Sequence, residues 1–387
     1  MKICDLTQMY SSQGGGVRSY LLAKRKFLQE NTPHHHLLIV PGDRTKQVEG
    51  GRSQIWTVRG PLVNRTSRYR WMLDLPALLK ILYANRPDVV EAGDPYHAAM
   101  VARNWANRRG SKFYLFYHSH FPDAILRTVL KFAGSWARSV TEQLAGDYLR
   151  HLATGGQGVF VGSQHLRQIL GGWGVPRLIH LPLGVDTKTF HLVTPTKKQE
   201  IKKRLGLPSA AKVLLYVGRF SPDKDTALLL RMWQRLEETV AEDWIGVMVG
   251  DGQMKPEVEN FIRKRSRIRL IPFLKDSAAL AEWYQASDLL IHPGRWETFG
   301  LVLLEAQACG LPVMAFKGGP MDEQAYQNKD WVINRSSEAL AEGVEQRMHS
   351  LPDEEGNARS EFIQKTFSWE KTFARQLKEY ESRGSTC

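Results

Sequence analysis

Two series of short apolar runs, each followed by amphipathic stretches, constrain this chain more than any other feature. HLLIVPG (36–42), PDVVEAG (87–93), KFYLFYH (112–118) and QGVFVGS (157–163) are dominated by β-branched and aromatic residues and end in turn formers. Between them, VRSYLLAKRKFLQE (17–30) and LPALLKILYANR (75–86) repeat apolar residues at helical spacing. The alternation resumes after residue 210 with KVLLYVGR (212–219), IGVMVGDG (245–252), IRLIPF (268–273), DLLIHPG (288–294) and LPVMAF (311–316). Continuous apolar strands alternating with helices predict parallel sheets covered on both faces. The expected fold is α/β, with two doubly wound, Rossmann-like domains facing across a cleft. Segment 181–210, rich in turn and charged residues, sets the expected boundary, with residues 1–185 in the first domain and 186–366 in the second. Open α/β sheets bind ligands at the carboxyl ends of their strands, so the loops that follow the strands carry the candidate sites.

Charge divides along the same line. Residues 1–183 hold 24 basic and 11 acidic side chains, whereas the remainder holds 29 of each, so the first domain carries the whole net charge of +13. Such segregation points to a polyanionic partner. Nucleic acid is not expected, because the basic run RKRSRIR (263–269) lies in the balanced half, has no interleaved aromatics and reads as a solvated helix end. Cys4, Cys309 and Cys387 are widely spaced without a CxxC, which argues against a disulfide framework and suits a reducing cytoplasm. The amino terminus reaches Asp5 too early for a signal-peptide core, and no apolar run approaches the roughly 18 residues that span a bilayer. Nor does His34-His35-His36 suggest a metal site, since alternate strand residues share a face, leaving two histidines, and no nearby carboxylate is expected.

RWETFGLVLLEAQACG (295–310) concentrates the chemistry. A polar turn places Glu297 just before an apolar helical run, and Glu305 lies inside that run eight residues later. Gly300 permits close approach to the first-turn amides, whose free N–H groups favour an anion such as a diphosphate. Glu305 can accept hydrogen bonds from vicinal hydroxyls, as on a ribose. The alternative is a helix-start charge followed by a buried structural acid. KVLLYVGRFSPDKD (212–225) adds Arg219 and Lys224 after a strand, a pairing suited to pyrophosphate oxygens. Asp223 and Asp225 read as caps of the next helix rather than a metal-binding DxD. SSQGGGVRSY (11–20) places three glycines between the first strand and first helix, where a phosphate or sugar could approach closely.

VGRFSPDKD, VGDGQ (249–253) and ETFGLVLLEAQACGLPV, with its Glu-x7-Glu spacing, together resemble the donor domain of the group-1 (family four) retaining glycosyltransferases of the GT-B fold. GVDTKTF (184–190) is similar to that family's inter-domain segment, and FSWEKTFARQLKEY (367–380) to its C-terminal helix, so residues 367–387 are expected to cross back to the first domain. The resemblance implies that Arg219 and Lys224 hold the donor diphosphate. It assigns the transferred sugar to Glu297 with the amides of Phe299, Gly300 and Leu301, and the ribose to Glu305. Gly15 and Gly16 match the family's glycine pair. His118, in HSHFPD, matches its histidine after the strand and is expected to contact the sugar or orient the leaving group, with His120 a second candidate. Backbone near Phe273 and Leu274 is expected to read the base. The implied activity is metal-independent retaining transfer from a nucleotide diphosphate sugar, in the first instance a UDP-sugar, with no cofactor. A nucleotide-sugar epimerase and a non-catalytic sugar-nucleotide-binding protein are the alternatives.

The acceptor is read from the basic domain. DAILRTVLKFAGSWARSVTEQLAGDYLR (123–150) repeats Ile125, Leu126, Val129, Leu130, Ala133, Trp136, Ala137, Val140 and Leu144 helically, with Arg127, Lys131 and Arg138 off the stripe. RTSRYRW (65–71) adds Arg65, Arg68 and Arg70. Basic amphipathic segments suit an anionic membrane surface, unless the stripe is domain core. HSHFP also resembles enzymes that glycosylate diacylglycerol, including the sulfoquinovosyl transferases. The expectation is a peripheral enzyme on the cytoplasmic face of the cell membrane with a lipid acceptor such as diacylglycerol; a lipopolysaccharide or exopolysaccharide acceptor is the alternative.

Overall fold

A computed structural model describes residues 1–11, 15–63, 68–118, 135–294, 297, 299–327, 331–352 and 354–382, with backbone alone at 135–139. The chain divides into two compact units, Met1–Leu183 with Trp369–Cys387, and Gly184–Ser368. Both crossings fall two residues from the expected positions. The Val185 N–H donates to Phe367 O at 2.8 Å and Val185 bridges Ser368, which fastens both crossing segments to the second unit.

The first unit is built on strands β1 (Lys2–Leu6), β2 (His35–Gly42), β3 (Lys46–Glu49), β4 (Ser53–Arg59), β5 (Val89–Ala92), β6 (Lys112–Tyr117), β7 (Gly158–Val161) and β8 (Leu178–His180). They form one sheet in the order β3-β4-β2-β1-β5-β6-β7-β8, parallel except for the exposed edge strand β3. The run-based reading misses β4, whose SQIWTVR mixes polar and apolar residues although it pairs with β2 from His36 to Gly42. Helices α1 (Gly16–Asn31), α2 (Leu75–Asn85), α3 (His97–Arg109), α4 (Ser135–Ala153) and α5 (Gln164–Gly172) accompany the sheet. Winding reverses between β1 and β5, a topological switch point. There the Thr7 hydroxyl and Gln8 N–H both donate to Asp94, at 2.8 and 2.6 Å.

One expectation changes in this unit. His36 is not without a carboxylate, since its Nε2 lies 2.7 Å from Asp5 Oδ2. Leu144, placed on the apolar stripe, is 64 % exposed and does not belong to the core. Residues 123–134, His120 and Arg65 lie outside the described residues, while Arg70 donates to Gly60 O at 2.9 Å.

The second unit contains β9 (Lys212–Val217), β10 (Trp244–Val249), β11 (Ile268–Ile271), β12 (Leu289–His292) and β13 (Val313–Ala315), all parallel and ordered β11-β10-β9-β12-β13. Its helices are α6 (Pro195–Arg204), α7 (Thr226–Thr239), α8 (Lys255–Ile262), α9 (Ser277–Ala286), α10 (Leu301–Ala308), α11 (Ser337–Met348) and α12 (Gly356–Thr366). The switch point here lies between β9 and β12. In the basic run 263–269, Arg263 and Lys264 form the solvated helix end that was expected, but the remaining arginines are engaged. Arg265 pairs with Glu237 at 2.7 Å and stacks on Phe261, Arg267 donates to Val240 O, and Arg269 donates to Gly206 O.

Helix α13 (Trp369–Glu381) returns to the first unit and completes a buried polar cluster. Lys24 Nζ lies 2.6 Å from Asp5, 3.1 Å from Glu91 Oε1 and 2.8 Å from the Tyr380 hydroxyl. Tyr20 donates to Glu91 Oε1, while Gln376 and Tyr380 both donate to Glu91 Oε2. Burial raises both carboxyls, but Lys24 and His36 outweigh it at Asp5, which is held well below the ordinary range, whereas Glu91 stays above it. One ammonium thus serves two acids, and hydroxyl and amide donors serve the second.

Candidate active site

The loop after β9 is shaped by two glycines of the loop after β10. A Cβ on Gly250 would lie 1.9 Å from Gly218 O, and one on Gly252 2.2 Å from Phe220 O, so the two loops cross only because both positions lack side chains. Beyond the crossing, a 3-10 turn (Pro222–Lys224) presents Lys224, and Asp225 follows with φ 51°. Neither acid there caps α7, contrary to expectation. Asp225 makes no side-chain cap and pairs instead with Arg335, while Asp223 sits 3.8 Å from Arg219. A left-handed residue at the helix start turns the Asp225 carboxylate away from the amides it was expected to meet.

Lys224 pairs with Glu297, bringing together the loops after β9 and β12 at the switch point. Glu297 Oε1 also lies 3.0 Å from His292 Nε2, at the end of β12. Burial would raise this carboxyl, but Lys224 and His292 hold it well below the ordinary carboxylate range. Gly300 precedes α10 with φ 93° and offers no side-chain cap, while in the first turn the Leu303 N–H donates to Gly300 O at 3.0 Å. Phe299 is buried against Phe367, and Leu301 opens the helix. Glu305 accepts from the Tyr284 hydroxyl at 2.8 Å, and burial pushes its carboxyl up to about 7. Arg219 remains half exposed. Phe273 is exposed and Leu274 half-buried, both in the loop after β11.

In the first unit, Gly15 has φ 117° and Gly16 opens α1, again with no side-chain cap. His118 follows β6 and stacks on Phe116 at 3.9 Å with an interplanar angle of 7°, with Tyr20 4.8 Å away. Burial first, and Lys24 second, lower its pKa to about 3, so the ring is neutral. Among the described residues, no cluster of three or more His, Cys, Asp or Glu could hold a metal.

Residues 197–369 match the family described as glycosyl transferases group 1, and residues 14–189 match glycosyltransferase family 4. The chain belongs to the group-1, family-four glycosyltransferases. It is 24% identical over 385 residues to a GDP-mannose-dependent alpha-(1-6)-phosphatidylinositol dimannoside mannosyltransferase of Mycobacterium tuberculosis, covering 97% of this chain and 95% of that one. A D-inositol 3-phosphate glycosyltransferase 2 of Catenulispora acidiphila is 36% identical over 146 residues, 35% of this chain and 34% of the relative, so the chain spans about a third of that protein. Among solved structures, sucrose-phosphate synthase from Thermosynechococcus elongatus matches with a TM-score of 0.77 at 18% identity, covering 98% of each chain. WaaG, a glycosyltransferase involved in lipopolysaccharide biosynthesis, matches at 0.71 and 16%, covering 99% of this chain and 100% of that one. The fold is GT-B.

Sequence reasoning about this glycosyltransferase missed His292, Tyr284 and Arg335. His292 lies inside the quoted run DLLIHPG, where its place at a strand's carboxyl end was the available signal. Tyr284 and Arg335 are 21 residues from Glu305 and 110 from Asp225, and nothing local marks them.

Proposed function

We propose that this glycosyltransferase moves a hexose, with retention and without a metal, from a nucleotide diphosphate sugar to a hydroxyl of a membrane lipid. The observation that carries this reading is the Lys224–Glu297–His292 constellation beside the uncapped start of α10. A carboxylate kept ionised beside a helix start that has no side-chain cap among the described residues suits a sugar hydroxyl on one side and a diphosphate on the other. In the reaction, the acceptor oxygen bonds to the anomeric carbon as the bond to phosphate breaks on the same face. The acceptor proton passes to the departing phosphate oxygen. Arg219, Lys224 and the helix amides stabilise the charge that develops on that phosphate. Glu305, beside Tyr284, is assigned to the ribose.

The donor base has two candidates. The sequence reading favours UDP, whereas the near-full-length mycobacterial relative is named for GDP-mannose. For the acceptor, the name of that relative points to an inositol-bearing phospholipid, beside the diacylglycerol read from the sequence. The lipid reading draws support from residues 62–63 and 70–73 of the first unit. There Leu62 bridges Arg70, and Leu62, Val63, Trp71 and Leu73 are exposed together. Apolar side chains beside arginines suit an anionic lipid interface. No described helix is long and apolar enough to cross a membrane.

The test is a panel of UDP-glucose, UDP-galactose and GDP-mannose, each offered with vesicles containing diacylglycerol or phosphatidylinositol, with and without EDTA. Transfer to lipid from one donor, insensitive to EDTA and retained in anomeric configuration, supports the reading. Near-wild-type turnover in both Glu297→Ala and Arg219→Ala would overturn the donor-site assignment.

A further inference from the structure

Glu297 is held on one oxygen only. Lys224 Nζ and His292 Nε2 both reach Oε1, and among the described residues Oε2 accepts no hydrogen bond. His292 is 2 % exposed, and its Nδ1 is buried without a hydrogen-bond partner among the described residues. A ring with one nitrogen facing a carboxylate and the other facing no donor carries its proton on the nitrogen that faces the carboxylate. The Nε2–H therefore donates to Oε1, fixing the rotation of the carboxylate about its last bond. Gly294 closes the arrangement from the backbone side. A Cβ there would lie 2.8 Å from His292 Nε2 and 3.4 Å from Glu297 Oε1, so the main chain is packed directly against the pair.

We propose that His292 is a positioning residue for transfer: through its Nε2–H it locks Glu297 so that Oε2 faces the donor sugar. Lys224 alone cannot do this, because an ammonium is a rotatable point donor and sits on a loop separate from Glu297. His292 ends β12 and is anchored in the sheet, its Cα paired with that of Ala315. It thus transmits the rigidity of a central strand to a carboxylate on a loop. The role concerns the sugar and not the nucleotide, since among the described residues no hydrogen bond or ion pair joins His292 to Arg219 or Glu305. The proposal rests on the reading that Glu297 holds the transferred sugar.

The experiment uses the full chain and whichever of UDP-glucose, UDP-galactose or GDP-mannose it turns over. His292→Leu removes the donor, His292→Asn keeps polarity but falls one bond short, and His292→Gln returns an N–H at nearly the original reach. Leu and Asn are expected to lower kcat about 10- to 100-fold, the range that small misplacement of a reacting group produces. Gln is expected to remain within about threefold of wild type, and inhibition by the sugar-free nucleotide diphosphate should be unchanged in all three. Gly294→Ala, which crowds the same pair, should reproduce the Leu phenotype. Equal losses in Gln, Asn and Leu, or wild-type kcat in Leu and Asn, would overturn the proposal. Glu297→Gln is measured alongside. If it is impaired while Leu is not, only the role of His292 falls; if it too turns over normally, the sugar-binding role of Glu297 falls with it.

Discussion

Glu297 and Glu305 are identical side chains eight positions apart, yet one is held ionised and the other is poised to titrate. Burial acts on both; only Glu297 has an ammonium and an imidazole against it, while Glu305 has a single phenol. On the proposed reading Glu305 accepts two ribose hydroxyls as a carboxylate, so donor affinity is expected to fall as pH drops through about 7. Glu305→Gln should flatten that limb of the donor-binding profile. Folding responds with the opposite sign. A carboxyl raised above its ordinary value contributes full stability below that value and loses it as pH rises through about 7, so denaturation midpoints should show a component that vanishes in the Gln variant. Glu297→Ala is expected to lower kcat about 100-fold or more, the cost of removing one fixed electrostatic group. Adding Lys224→Ala should cost less than the two single losses combined, because the residues share a contact; steady-state kinetics on the three variants decides this. As candidates, Arg219, Lys224 and Glu297 were legible because each follows a strand, and Glu305 because of its eight-residue spacing from Glu297. The pairing of Lys224 with Glu297, across 73 residues, was not, since no local spacing encodes a contact between separate loops.

At the scale of elements, Arg335 fastens the loops after β9 and β12 to each other. Its guanidinium pairs with Asp225, donates to Pro293 O at 2.6 Å and lies over the Phe316 ring at 4.6 Å. Arg335→Ala is expected to raise the donor KM and to cost about 1.5–3 kcal/mol, as hydrogen bonds to charged groups do, read from donor saturation and urea midpoints. Arg335→Lys should recover little, since one ammonium cannot serve both partners and stack on the ring. The buried strands were legible from their apolar runs, as in β6 and β10. Edge and half-exposed strands such as β3 and β4 were not, because sheet pairing rather than composition defines them. The caps assigned to Asp223 and Asp225 failed for a related reason: a distant arginine outcompetes the nearest amides for Asp225.

For the molecule as a whole, surplus positive charge and exposed apolar side chains coincide in the first unit. Trp71→Asp with Leu73→Asp is expected to reduce flotation with anionic vesicles while leaving donor turnover in solution unchanged; equal flotation of the variant and wild type would remove the lipid-surface reading. The same unit is discontinuous in sequence. Both donors to Glu91 Oε2 come from α13, and Gln376 is made 285 residues after Glu91. At ribosomal speeds of about 5–20 residues per second, roughly 15 to 60 seconds pass between them. Throughout that interval the second unit, contiguous from Gly184 to Ser368, can mature, while the first holds an acid whose outer oxygen has no donor. Translation therefore imposes an order of assembly. A nascent chain released before Gln376 would leave Glu91 Oε2 buried without these two donors, so the first unit's polar cluster is completed only once α13 has been made.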